Sequence, residues 1–274
     1  LQEGAKKYSA VITGSDQLWS PAGLPTNFYN LKFVPDNIRK ISLASSFGVK
    51  YIPWYQKERT KEFLNRIEYI SMRENAGQKI VKDLTGRDVP VVLDPVFMFN
   101  KDEWEELLPN KREYEDEYVF AYFLGKNSEY RKVVKEFAKK KKLKIVTLRH
   151  LDQFVEEDES FGDYAPYDVG PDKFLNLLRG AKYICTDSFH GAVFSIIHKK
   201  DFLVFNRYSD TSKHSKNSRI DSLCQNLEIQ NCRYKGDSEK IFLESIDYSK
   251  VDENYKKLKL KTDAYIDKAL DGVK

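Results

Sequence analysis

Short apolar runs alternate with amphipathic stretches along most of the chain. YSAVITG (8–14), RKISLASSFG (39–48), EYISMRE (68–74) and DVPVVLDP (88–95) read as buried strands. EYVFAYFL (117–124), KIVTLRH (144–150), KYICTD (182–187) and DFLVFN (201–206) repeat the form. The segments between them carry apolar residues at helical spacing. Trp54 to Glu68 places Phe63, Leu64 and Ile67 on one face, a second helix runs through Leu84, and KDEWEELL (101–108) is a short third. Ser128 is expected to cap a helix burying Tyr130, Val133, Val134 and Phe137. PDKFLNLLRGA (171–181) opens on proline and closes near glycine, with Phe174, Leu175, Leu177 and Leu178 as its apolar face. A helix is expected from Phe189, another at SRIDSLCQNL (218–227) with Ser218 and Asp221 as a capping box, and a long amphipathic one at VDENYKKLKLKTDAYIDKAL (251–270).

Continuous apolar strands separated by helices predict parallel sheets covered on both faces. The acidic stretch EYEDEYV (113–119) divides the pattern in two. The expected architecture is therefore α/β, with two Rossmann-like domains facing a cleft. Their expected bounds are 1–112 and 113–250, with a C-terminal helix over 251–274 that packs back across the domains.

Bulk properties narrow the class. The chain has 274 residues, 41% hydrophobic and 32% charged, which suits a soluble globular protein larger than one small core. No apolar run reaches the roughly 20 residues of a bilayer span, and LQEGAKKYSAVITG lacks the apolar core of a signal peptide. A net charge of +4 is too small to argue for nucleic acid, though it suits anionic small molecules or a membrane surface. Three cysteines without paired spacing suggest free thiols in a reducing cytoplasm, and no metal-ligand spacing, P-loop or GxGxxG is present.

In open α/β sheets, ligands collect beyond the carboxyl ends of the strands. The residues following each apolar run are small, polar or ionisable: Gly14-Ser15-Asp16-Gln17, Ser45-Ser46-Phe47-Gly48, Ser71-Met72-Arg73-Glu74, Arg149-His150 and Thr186-Asp187-Ser188-Phe189-His190-Gly191. In the last of these, Asp187 or Ser188 can cap the helix, and Gly191 would let a ligand approach its first turn. Free N–H groups and the helix dipole make such a turn an anion site. His190 there can bind an anion or move a proton, or it can be a satisfied corner residue. Asp16 can orient or deprotonate a sugar hydroxyl, or cap a helix. Arg73 can bind a ligand or pair with Glu74 or another acid, Asp94-Pro95 reads as a turn, and Lys213, His214, Lys216 and Arg219 offer a second anion contact or a solvated loop.

VITGSDQLWSP, SLASSFG, ISMRE, VVLDPVFMF, LLRGAKYICTDSFHGAVFSII and SRIDSL occur in the order found in the polysaccharide pyruvyl transferase family. The chain resembles that family from about Tyr8 to Leu227. The resemblance implies a GT-B type fold and transfer of a pyruvyl group from phosphoenolpyruvate to a sugar, forming a ketal. It implies no cofactor and no metal, a lipid-linked or nucleotide-linked sugar acceptor, and a cytoplasmic setting with peripheral contact at the inner membrane surface. It also implies a strand and glycine loop ahead of GSDQ, so the N-terminal sheet is expected to lack its first strand. His190 and Asp16 are the expected catalytic pair. Ser15, Gln17, Ser46, Arg73, Arg149, Asp187, Ser188, Gly191, Lys213 and Arg219 are the expected substrate contacts. Ser188 stands where relatives carry an arginine two residues before the histidine, leaving Arg219, Arg73, Arg149 or Lys213 as substitutes. A nucleotide-sugar glycosyltransferase and a non-catalytic glycan binder are the competing readings.

Overall fold

The computed structural model describes residues 1–23, 28–149, 154–209, 215–238, 241–242 and 244–273. The chain forms two compact units. Unit 1 holds Leu1–Met98, Thr211–Glu228 and Lys250–Lys274, and unit 2 holds Phe99–Asp210 and Ile229–Ser249.

Unit 1 is built on a parallel sheet in the order β1 (Ala10–Thr13), β2 (Arg39–Ser45) and β3 (Tyr69–Met72). A one-turn helix, α1 (Gln2–Ala5), precedes it. On one side α2 (Lys57–Arg66) and α3 (Asn75–Thr85) bury Phe63, Leu64, Ile80 and Val81 together with Trp19, Phe47, Ile70 and Met72. Another cluster joins Ile41, Ala44 and Val92 to Tyr265 and Ala269. The last two lie on the long C-terminal helix, numbered α9 below (Tyr248–Leu270).

The run DVPVVLDP does not form the expected strand. It makes an isolated bridge, Met72 to Val91, with Met72 N–H donating to Pro90 O and Val92 N–H donating to Met72 O. Pro90 has no N–H to extend the ladder. The next free donor, Leu93 N–H, bonds the Thr262 hydroxyl of α9 at 3.0 Å.

Unit 2 has four parallel strands ordered β5-β4-β6-β7, comprising β4 (Tyr118–Tyr122), β5 (Lys144–Thr147), β6 (Tyr183–Thr186) and β7 (Phe202–Val204). Val119, Ala121, Ile145, Cys185 and Leu203 pack with Val133, Val134 and Phe137 of α5 (Ser128–Lys141). The alternate position Phe120 meets Phe174 of α6 (Pro171–Gly180), and Phe174 meets Phe194 of α7 (Phe189–Ile197). The two-residue period of a strand thus sends its side chains to opposite helical layers. All three cysteines are buried and outside any disulfide.

The division differs from the sequence expectation at three places. The crossing lies at Met98/Phe99 rather than 112/113. Helix α4 (Lys101–Leu107) belongs to unit 2 because Trp104 packs on Phe194, and Arg179 donates to Leu108 O and Trp104 O. Helix α8 (Ser218–Leu227) belongs to unit 1, where the Ser222 hydroxyl accepts Asn75 N–H at the start of α3. Helix α9 lies almost wholly in unit 1, and Tyr265 donates to Ser42 O at 2.7 Å.

Two caps also shift. Asn127, not Ser128, caps α5 by accepting Glu129 N–H. The Ser218/Asp221 capping box does not form: Asn217 holds the cap position with helical backbone angles and no side-chain capping bond, which puts Ser218 inside the helix.

His198, just past α7, is buried and accepts from Arg179 Nε at 3.4 Å. Burial pushes its imidazole down to about 4, and the Arg179, Lys101 and Lys200 cations push the same way. The folded ring stays neutral while the unfolded one protonates near its ordinary 6.5. As pH falls below 6.5 the unfolded chain therefore gains a proton first, and stability declines down to about 4. His198→Gln is expected to flatten the pH dependence of the melting temperature across that window. An unchanged slope would assign the acid sensitivity to other groups.

Candidate functional site

In unit 2, β5 lies on one side of the central β4 and β6 on the other, with α5 and the α6/α7 pair covering opposite faces. The strand order reverses between β4 and β6, which is where doubly wound sheets bind ligands. Asp187 sits at that point. Its carboxylate is buried and accepts Leu124 N–H at 2.7 Å and Gly125 N–H at 2.8 Å, tying the end of β6 to the loop after β4. Burial pushes this carboxyl up, opposed by the two N–H donors and then by the Arg207 and Arg131 cations.

Ser188 caps α7, its hydroxyl accepting Gly191 N–H at 3.2 Å. The first turn therefore presents His190, which is half-buried with its ring edge-on to Phe189 at 5.4 Å. Gly191 has a different role from the expected one. A Cβ there would lie 2.7 Å from the Thr186 hydroxyl, which itself donates to Tyr122 O and accepts Ser188 N–H. The missing side chain makes room for the protein's own strand end, and the residue is buried.

Arg207, three residues past β7, was not among the sequence candidates. It is half-buried, its Cγ lies 3.3 Å from the Cβ position of Gly125, and its guanidinium stacks over Tyr208 at 5.6 Å. No hydrogen bond or close ion pair holds that guanidinium among the described residues. The signal was the same one that picked out the other candidates: a charged residue soon after an apolar run, here DFLVFN. Arg149, after β5, is by contrast already engaged, donating to Glu159 at 3.4 Å and to the Tyr167 hydroxyl at 3.3 Å. His150 and Lys213 lie outside the described residues.

Unit 1 gathers the other candidates at the carboxyl ends of its strands. Gly14 (φ 130°) turns the chain where a Cβ would lie 1.9 Å from Leu43 O. Asp16 follows with φ 69° and bridges to Ser45, extending the sheet rather than capping a helix. Its side chain is 53% exposed, with Oδ1 2.9 Å from Arg73 Nη2 and 3.9 Å from Arg219 Nη1. Arg73 is buried and also donates to Asp94 Oδ2 at 2.6 Å, while Ser15 Oγ lies 2.7 Å from the same oxygen. Asp94 does close a turn, accepting Val96 N–H, but it is equally the buried counter-charge of Arg73. Arg219 is buried on α8 and donates to Lys216 O.

Ser46 and Gln17 face inward rather than outward. Ser46 is fully buried and donates to Glu74 Oε1 at 2.9 Å. Gln17 is half-buried against Gly48, whose Cβ position is 2.9 Å from Gln17 Oε1. Burial pushes the Glu74 carboxyl up, against the pull of Arg73 and Ser46, and its Oε2 has no partner among the described residues. Nor do the described residues contain a group of three or more His, Cys, Asp or Glu side chains arranged to hold a metal ion.

Each unit therefore places polar and charged groups beyond the carboxyl ends of its own sheet. Unit 2 offers a capped helix terminus, an imidazole and a cation. Unit 1 offers a half-exposed carboxylate positioned by two arginines. No helix among the described residues is long and apolar enough to cross a membrane.

Among solved structures, the chain is similar to a Listeria monocytogenes protein assigned as a UDP-N-acetylglucosamine 2-epimerase, with TM-score 0.54 and 13% identity over 94% of this chain and 71% of that one. It also matches a Neisseria meningitidis UDP-GlcNAc 2-epimerase, with TM-score 0.49 and 12% identity over 100% and 73%. The wall teichoic acid polymerase TagF matches with TM-score 0.44 and 13% identity over 96% and 73%. The first likeness bears on fold alone and agrees with the α/β, GT-B type class expected from the sequence. No curated protein matches the chain. The sequence profile described as polysaccharide pyruvyl transferase matches residues 2–209, most of the chain and all the strands of both sheets. The chain belongs to the polysaccharide pyruvyl transferase family of enzymes.

Proposed function

We propose that the protein transfers the pyruvyl group of phosphoenolpyruvate to two hydroxyls of one sugar in a polysaccharide precursor, releasing phosphate and closing a cyclic ketal. The observation that carries this reading is the grouping in unit 2 of the Ser188-capped helix terminus, His190 in its first turn, and Arg207 beside Asp187. The donor carries two anionic groups, a phosphate and a carboxylate. A helix N-terminus with a nearby arginine offers them N–H donors and a fork of charged donors.

The chemistry needs one proton delivered and two removed. Protonation of the donor methylene makes its neighbouring carbon electrophilic, and a first sugar hydroxyl attacks there and loses its proton. The carbon–oxygen bond to phosphate then breaks, and a second hydroxyl of the sugar takes the vacated position and loses its proton to the departing phosphate. Imidazole can give and take a proton near neutral pH, so His190 is assigned to the donor methylene. Asp16 is assigned to the acceptor hydroxyl, with Arg73 and Arg219 fixing its orientation.

Arg207 takes the place of the arginine that relatives carry where Ser188 stands here. In a thermal-shift titration, phosphoenolpyruvate on its own is expected to raise the melting temperature. Arg207→Ala should remove most of that shift without changing the melting temperature of the free protein. Absence of a shift with phosphoenolpyruvate would refute the donor, and an undiminished shift in the Arg207 variant would refute that residue's role.

A further inference from the structure

The segment between β2 and α2 carries Tyr51, Trp54 and Tyr55, which are 50%, 82% and 67% exposed. A contiguous cluster of exposed rings, unlike a single one, marks an interaction surface. The exposure does not come from a loosely held loop. Val49 and Ile52 are buried in the unit 1 core beside Trp19 and Phe47, Gln56 donates to Pro21 O at 3.2 Å, and Lys57 begins α2. Trp54 and Tyr55 meet edge to face at 5.9 Å, forming one projecting cluster on an anchored base.

The charge around the cluster is one-sided. Residues 50–61 contain Lys50, Lys57, Arg59 and Lys61 against the single acid Glu58, a local excess of +3 where the whole chain has only +4. All four cations are exposed. Indole and phenol rings settle at the boundary between hydrocarbon and headgroups, and nearby lysines and arginines are drawn to anionic lipid. Stable peripheral attachment takes two such signals together. A neutral sugar would stack on the rings but would make no use of the cations.

We infer that this aromatic and basic projection docks unit 1 onto an anionic lipid surface. The inference stands independently of the donor assignment, because none of these residues belongs to the proposed reaction site. Its loop leaves the carboxyl end of β2, the same end of the unit 1 sheet that carries Asp16. Docking there would suit an acceptor carried on lipid.

Tryptophan fluorescence reports the event selectively. Trp19 is buried and bonded to Tyr29 O, and Trp104 is half-buried between Phe99 and Phe194, so Trp54 is the ring open to a change of surroundings. The full chain would be titrated with vesicles of phosphatidylglycerol and phosphatidylcholine, and separately with phosphatidylcholine alone. The inference expects co-sedimentation and a blue shift with the anionic vesicles only, both reduced at about 1 M salt, where charges are screened within about 3 Å. Trp54→Ala/Tyr55→Ala should weaken vesicle binding by about tenfold or more while leaving the melting temperature unchanged. Absence of binding to anionic vesicles, or binding unaffected by the double substitution, would overturn the inference. So would a blue shift given by a soluble oligosaccharide and not by vesicles, which would make the cluster a sugar platform.

Discussion

Replacing His190 with alanine is expected to reduce pyruvyl transfer by about 10²–10⁴-fold, the range for loss of a positioned acid or base, while the protein remains folded. The imidazole is half-buried in the first turn of α7, and the turn does not depend on it: Ser188 supplies the cap, and Ala192 N–H already bonds Ser188 O. A melting temperature close to wild type is therefore part of the expectation. His190→Gln separates the two roles proposed for the ring. Glutamine can still donate a hydrogen bond to an anion but cannot exchange a proton at neutral pH. Donor binding should then survive in part while turnover does not. A His190→Ala protein that turns over normally would remove the residue from the mechanism.

Replacing Arg73 with methionine is expected to destabilise unit 1 by about 3–5 kcal/mol, the usual cost of leaving a buried charge without its partner. The Arg73 and Asp94 side chains are 1% and 2% exposed, and they approach to 2.6 Å. With Arg73 gone, the Asp94 carboxylate keeps the Ser15 hydroxyl and Val96 N–H but loses its counter-charge. Removing both members, as Arg73→Met with Asp94→Leu, should recover much of the loss, since a well-packed apolar pair can replace a buried ion pair. Asp16→Asn should cost far less, about 0–1 kcal/mol, because its side chain is half exposed and the pair is screened by water. Its effect should fall on turnover instead. Urea melts of the three variants check this ordering, and an Arg73→Met protein as stable as wild type would contradict it.

Much of this was readable in the residues because local chemistry fixes it. Pro171 at the start of α6, the apolar runs of β1 to β7, and Ser188 before α7 each act within a few positions. What could not be read depends on partners far away in the chain. The apolar run at 88–95 looked like a strand, but Leu93 N–H goes to Thr262, 169 residues later. Asp94 looked like a turn residue because the turn is local, whereas Arg73 lies 21 positions upstream. Helix α8 falls within the second domain expected from the sequence, yet Ser222 completes the start of α3, 147 positions before it. The cap of α5 moved by one residue because Asn127 and Ser128 are both good capping types.

The site shows the same split between local and distant causes. The rule that ligands gather at strand ends singles out Asp16, Arg73, Asp187 and His190, and the structure places each just beyond a strand of its own sheet. The rule could not tell an inward-facing polar residue from an outward-facing one, so Ser46, which is spent on Glu74, was included. It applied equally to Arg207, which directly follows the run DFLVFN, but the approach of that arginine to Gly125 joins positions 82 apart and is visible only in the structure.

The proposed reaction has phosphoenolpyruvate as donor and a sugar as acceptor. Incubating the protein with phosphoenolpyruvate and a panel of lipid-linked and nucleotide-linked sugars, followed by mass spectrometry and phosphate assay, tests it most directly. One acceptor should gain the mass of a pyruvyl ketal with one equivalent of phosphate released, and the His190→Ala protein should give neither. Intact phosphoenolpyruvate beside a sugar-nucleotide that has lost its sugar to the acceptor would instead make the protein a glycosyltransferase and exclude pyruvyl transfer.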